Sequence, residues 1–154
     1  MRFTVRRATV RDMAVLRRQR DGMFRDMGRR DERALAAADR AYVPWARKRL
    51  RDGTLVGFLA VLPDRRVAAG GCVWLQEFQP GTVWNGGRIP YLMSMYTEPE
   101  FRGKGLATRI VKAATAWCRK RGYPKMFLHA SPMGRGVYRR LGWERTWQME
   151  ILLK

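Results

Sequence analysis

Arg102, Gly103, Lys104 and Gly105 gather the chemistry of this chain into four consecutive residues. An apolar, strand-like run over 89–96 leads into them, and a helical pattern over 106–121 leads out. A strand that stops, a glycine-containing turn and a helix that starts can together hold an anion. The first backbone N–H groups of a helix have no partner within it, and the helix dipole adds about half a positive charge there. Glycines let an anion approach the main chain because no Cβ stands in the way. The segment 97–108 therefore reads as a main-chain site for a phosphorylated ligand. Two common phosphate loops do not match it. The dinucleotide fingerprint requires a third glycine where Thr108 stands, and the nucleoside-triphosphate loop requires Ser or Thr where Gly105 follows Lys104.

The elements that must position this loop can be read along the chain. Residues 3–8 alternate as a first strand. Thr9, with Asp12 three residues on, is an N-cap pattern for a helix over 10–27 that Gly28 ends. A second helix over 32–51 buries Leu35, Ala38, Tyr42, Ala46 and Leu50, and Pro44 predicts a kink or a division into two pieces. The loop 27–31 between these helices is a candidate rim for an acceptor site. Strands follow over 54–61 and 67–77, with Gly70-Gly71 as a bulge. The run 89–97 is apolar on both faces, which places it inside a sheet. After the loop helix come a strand over 123–130, a short helix opened by Ser131-Pro132, and a strand over 148–153 that closes the sheet.

The chain has 154 residues, 46% of them hydrophobic, which suits one domain with a substantial core. No apolar run reaches membrane-spanning length, so no membrane partner is expected. Cys72 and Cys118 form no metal-ligand spacing, and no metal site is expected; reduced thiols point to a cytoplasmic protein. The formal net charge of +19 admits two readings. One is an anionic partner such as RNA or the ribosome. The other is a compositional bias toward arginine, since only six of the 32 basic residues are lysine.

The pattern Arg102-x-x-Gly105-x-Ala107 resembles the acyl-CoA pyrophosphate loop, Gln/Arg-x-x-Gly-x-Gly/Ala, of the GNAT N-acetyltransferase superfamily. A second, separate stretch, Tyr138-Arg139-Arg140-Leu141-Gly142-Trp143, resembles the Tyr-x-x-Leu-Gly-Phe segment of the same superfamily. Tyr96-Thr97-Glu98-Pro99, Leu128-His129-Ala130-Ser131 and Gln148-Met149 are similar to segments of uncharacterised bacterial members. The resemblance covers the element order from end to end. It implies a single α/β domain over 1–154, with a mixed six- to seven-stranded sheet splayed at the acyl-CoA site and helices on both faces. It also implies an acetyl-CoA-dependent N-acetyltransferase in which a primary amine attacks the thioester directly in a ternary complex, with a homodimer as a possible assembly.

By the same resemblance, Met95, Tyr96 and Thr97 offer main-chain bonds to the pantetheine arm. Arg102, Gly103, Lys104, Gly105, Leu106, Ala107 and Thr108 hold the pyrophosphate, and Ser131 stands where many members carry an asparagine that touches CoA. Tyr138 takes the position of the general acid, and a phenol with a reference pKa of about 10 suits a departing thiolate. The position of the glutamate base of some members is occupied by Tyr91. His129, the only histidine, is the candidate base. Glu77, Glu98 or ordered water are the alternatives. Two other classes remain open at this point: a basic RNA- or ribosome-associated binding protein on the same scaffold, and a non-catalytic CoA sensor.

Overall fold

A computed structural model describes residues 1–153. The chain runs β1 (Thr4–Arg7), a single 3-10 turn (Val10–Asp12), α1 (Met13–Asp26), α2 (Glu32–Asp52), β2 (Leu55–Val61), β3 (Val67–Glu77), β4 (Arg88–Thr97), a second 3-10 turn (Pro99–Phe101), α3 (Leu106–Lys120), β5 (Phe127–Leu128) and α4 (Arg135–Arg140). The five strands form one mixed sheet in chain order, antiparallel from β1 to β4 and parallel between β4 and β5.

Local chemistry sets the element ends. Thr9 and Asp12 form the expected capping box, with Asp12 Oδ2 accepting from the Thr9 N–H at 2.7 Å. Asp31 caps α2 by accepting from the N–H groups of Arg33 and Ala34 at 3.0 and 3.1 Å. Gly53 ends α2 at φ +78°, a left-handed backbone that glycine adopts without a steric penalty. Pro44 does not divide α2, which runs unbroken over Glu32–Asp52. An interior proline costs about 3 kcal/mol or more, but Leu35, Tyr42 and Ala46 are buried along one face and hold both halves against the sheet.

Two cores lie on opposite faces of the sheet. Phe58, Val73 and Leu92 pack with Leu106, Ile110 and Ala114 of α3 on one face. Leu55, Leu59 and Cys72 pack with Met13, Leu16, Tyr42 and Ala46 of α1 and α2 on the other. Strand alternation produces this division, because neighbouring residues point to opposite faces.

Three expectations are corrected. The sheet of the described residues has five strands, fewer than the six to seven expected. The strand expected over 123–130 is paired only at Phe127 and Leu128; Pro124 lacks the N–H a ladder needs, and the chain diverges from β4 after Leu128. The segment expected to close the sheet, 148–153, is no strand in this chain. The bulge also differs in detail. Gly70 pairs with Tyr96 and Cys72 with Met93, so the extra residue sits in β4, opposite Gly71, and not in β3.

Candidate active site

The bulge and the divergence of β4 from β5 build the site. β4 meets β5 only at Tyr91 opposite Phe127 and Leu92 opposite Leu128. Beyond these pairs the β5-facing edge of β4, residues 93–97, has main-chain groups with no strand partner, a place where an amide-bearing ligand can pair as a strand would. Ser94 holds φ +55°, an uncommon backbone for a non-glycine residue, at the point where the bulge resets the alternation. Gly71 makes this possible: a Cβ there would lie 2.3 Å from Met95 Sδ and 2.9 Å from Ile110 Cγ2.

The turn after β4 brings Gly103 at φ +74° and Gly105 at φ +72° to the start of α3. A Cβ on either would meet nothing within 4 Å, so the glycines face open space and are required by their backbone angles. Gly105 caps α3 without any side-chain hydrogen bond. Main-chain bonding from the turn into α3 begins with the Arg109 N–H to Gly105 O at 3.2 Å, which leaves the N–H groups of Leu106, Ala107 and Thr108 free for an anion.

A cleft of about 480 Å³ opens over this turn. Every cofactor residue expected from the sequence lines it except Lys104: Met95, Tyr96, Thr97, Arg102, Gly103, Gly105, Leu106, Ala107, Thr108 and Ser131. Tyr138 lines it too. Lys104 turns back on its own loop, with Nζ donating to Glu100 O at 3.2 Å and lying 5.2 Å from the Phe101 ring centre. Arg102 donates from Nε to Thr97 O at 3.0 Å and from Nη2 to Asp26 Oδ2 at 2.6 Å.

Tyr138 is half-buried on α4, its ring edge-on to Trp143 with centres 6.0 Å apart. Burial raises its pKa above the ordinary phenol value and keeps the hydroxyl protonated. Among the described residues the Tyr138 hydroxyl has no hydrogen-bond partner, so the proton is available to the cleft. Gly134 makes room for the ring, since a Cβ there would lie 2.9 Å from Tyr138 Cε2. Ser131 Oγ accepts from the Gly134 N–H at 3.3 Å and so acts as a cap for this turn.

His129 does not line the cleft. Leu92 and Leu128 pack on the α3 side, so alternation puts Tyr91 and His129 on the α1–α2 side. There the Tyr91 hydroxyl is bonded to His129 Nδ1, and Gln148 Nε2 lies 2.9 Å from His129 Nε2. With Gln148 donating to Nε2, the ring proton sits on Nδ1 and points to the Tyr91 oxygen. The histidine expected to be a base and the tyrosine at the glutamate position thus meet, although 38 residues separate them. Glu98 is committed elsewhere, accepting from Arg18 at 2.8 Å.

Sequence reasoning missed Asp26, Met23, Met133, Val137 and Arg140 as cleft residues. The methionine Met23 carried a helical-stripe signal that reads as core, and Asp26 carried none, because its partner Arg102 is 76 residues away. Met27, at the start of the loop read as an acceptor rim, does line the cleft.

The profile of the acetyltransferase (GNAT) family matches residues 9–143. A crystal structure of a GCN5-related N-acetyltransferase from Ralstonia eutropha superposes with a TM-score of 0.89 at 28% identity, covering 99% of each chain. A predicted acetyltransferase from Clostridium acetobutylicum, crystallised with acetyl-CoA, superposes with a TM-score of 0.88 at 26% identity over 98% of this chain and 96% of that one. An uncharacterised N-acetyltransferase of Methanocaldococcus jannaschii is 29% identical over 108 residues, 68% of this chain and 45% of that protein. The chain spans about half the length of the curated relatives it matches. The profile match takes in the loop and the tyrosine that line the cleft, and the chain belongs to the acetyltransferase (GNAT) family.

Proposed function

We propose that this protein transfers an acetyl group from acetyl-CoA to a primary amine in a ternary complex. The observation that supports this most is the cleft itself: an unpaired β4 edge, a helix start with free N–H groups and a protonated tyrosine converge there from three separate segments. The pantetheine amides pair with main-chain groups of Met95, Tyr96 and Thr97. The free N–H groups at the start of α3, with Arg102, take the pyrophosphate. Lys104 contributes charge at longer range, and Ser131 positions the turn that carries Tyr138.

The neutral amine attacks the thioester carbon, a C–N bond forms and the C–S bond breaks. The nitrogen gives up one proton and the sulfur gains one. Tyr138 supplies the proton to the thiolate, and burial keeps that phenol in its donor form. His129, joined to Tyr91 on the α1–α2 side, receives the proton of the amine at Nε2, where the amine displaces the Gln148 amide. Acid and base thus sit on opposite faces of the sheet, with the β4–β5 split between them, so each proton has its own route.

The test is thiol release from acetyl-CoA over a panel of primary amines, with thermal melts to follow binding. Turnover with one amine class and a melt shift with acetyl-CoA are expected. Turnover with none, alongside a melt shift, would assign the chain as a CoA-binding sensor. Absence of both, with salt-sensitive RNA binding, would favour the anionic-partner reading of the +19 charge.

A further inference from the structure

A row of aromatic rings crosses the α1–α2 face of the sheet and ends at His129. Trp45 of α2 meets Trp74 of β3 edge-on, with ring centres 5.3 Å apart. Trp74 stands opposite Tyr91 in the β3–β4 ladder, and Tyr91 stands opposite Phe127 in the β4–β5 ladder, so the three share a face. The Tyr91 and His129 rings have centres 5.6 Å apart. Phe78 borders the row beside Phe127, with centres 5.9 Å apart, and is 43% exposed. Trp45, Trp74, Tyr91 and Phe127 are each partly exposed, so the row is open surface and not sealed core.

The row begins where the acceptor nitrogen must stand. In the reaction proposed above that nitrogen sits at His129 Nε2, and Tyr91 is the first ring beside it. An amine on a short alkyl spacer puts whatever the spacer carries over Tyr91, with Trp74 on one side and Phe127 on the other. We propose that the acceptor is a primary amine joined by a short spacer to a flat aromatic ring, bearing no second positive charge, with its ring on the Trp74–Tyr91–Phe127 row. This assignment rests on the acetyl transfer proposed above and gives it an acceptor class.

Charge and ring chemistry select that class. The charged groups that lie over the row are cations: the Arg49 guanidinium is 4.4 Å from the Trp45 ring centre, and Lys125 Nζ is 5.2 Å from that of Phe127. Glu77, next to Phe78, alternates to the α3 face with Leu75. Glu98 is held by Arg18, and Asp26 by Arg102. A polyamine would therefore bring its further ammonium groups to a row edged by cations, in a chain of net charge +19. A saturated apolar body would gain burial here and nothing more. A flat ring gains burial and, in addition, offset or edge-to-face contacts with rings already set at the surface.

Thiol release from acetyl-CoA with matched primary amines tests this. The amines are phenethylamine, cyclohexylethylamine, which keeps the spacer and the apolar bulk without the flat ring, and spermidine. The kcat/KM for phenethylamine should exceed that for cyclohexylethylamine by about tenfold, and spermidine should be the poorest. Trp74→Leu should bring phenethylamine and cyclohexylethylamine to within about twofold of each other, through KM, while acetyl-CoA still raises the melting temperature. Trp74→Phe should keep the preference. If Trp74→Leu does not fold, Phe127→Leu makes the same comparison at the neighbouring ring. Equal kcat/KM for the flat and the puckered ring, or spermidine as the best acceptor, would refute the aromatic acceptor and leave acetyl transfer standing. Release with no amine at all, alongside a melt shift with acetyl-CoA, would remove the transfer reaction and this acceptor with it.

Discussion

Asp26, the last residue of α1, accepts a hydrogen bond from Arg102 of the glycine turn before α3 at 2.6 Å. Both side chains are about one-third exposed and both line the cleft. A carboxylate beside a proposed pyrophosphate site repels the ligand and occupies the arginine that would bind it. Asp26→Asn removes the charge and keeps the shape. Exposed pairs of this kind are worth about 0.2–1 kcal/mol, so acetyl-CoA should bind up to roughly fivefold tighter, with the difference largest at low salt. Calorimetric titration at two salt concentrations measures this. Weaker binding in Asp26→Asn would show instead that the carboxylate holds Arg102 in its binding posture.

Gly105 stands at φ +72° with open space where a Cβ would point. A β-branched side chain at that angle is strained by about 1–2 kcal/mol and projects into the space proposed for the pyrophosphate. Gly105→Val should therefore lower the melting temperature of the free protein slightly and abolish the shift on adding acetyl-CoA. For the unaltered protein, ligand at 100 times its dissociation constant adds about 2.7 kcal/mol. A Gly105→Val protein that keeps the full shift would remove the loop from the binding site.

The parts of this site that depend on local chemistry could be read from the sequence. The capping box at Thr9 and Asp12, the strand–turn–helix around Gly105 and the amphipathic face of α3 each follow from neighbouring residues, and each formed as expected. The parts that depend on distant partners could not. Pro44 signals a kink or a division, and burial of Tyr42 and Ala46 against β2 keeps the helix undivided. The β4 bulge depends on Gly71 leaving room for Met95, a contact between strands that spacing within either strand does not reveal. The 148–153 pattern is that of a strand, yet the segment forms none in this chain.

Cys72 and Cys118 are buried free thiols, 1% and 2% exposed, and burial pushes both pKa values up to about 12. Their unfolded value is about 8.5. A raised acid pKa means the native state holds its proton more tightly, so this stabilising term is complete below pH about 8.5 and fades as pH rises toward 12. Melting temperature should be insensitive to these thiols near neutrality and fall on the alkaline side. Burial keeps both thiols protonated near neutrality. A thiol reagent should then label neither cysteine of the native chain in minutes and both after denaturation. Immediate labelling of either would contradict its burial.

Tyr138 and His129 act on different protons in the proposed reaction, so their substitutions should separate cleanly. Tyr138→Phe keeps the ring against Trp143 and removes only the hydroxyl. Turnover should fall by about 10²- to 10⁴-fold, the usual contribution of a general acid, while acetyl-CoA affinity stays the same because the loop contacts are untouched. Burial raises the pKa of this phenol, so the rate of the unaltered enzyme should hold until pH exceeds the ordinary phenol value of about 10. His129→Gln should instead remove the acidic limb of the rate–pH profile and leave control to the amine's own ionisation. Because Tyr91 is bonded to His129, Tyr91→Phe should lower turnover without abolishing it if the tyrosine only positions the ring. Normal turnover in Tyr138→Phe would overturn the acid assignment. An unchanged acidic limb in His129→Gln would leave the Tyr91–His129 contact as a structural tie between β4 and the chain after β5.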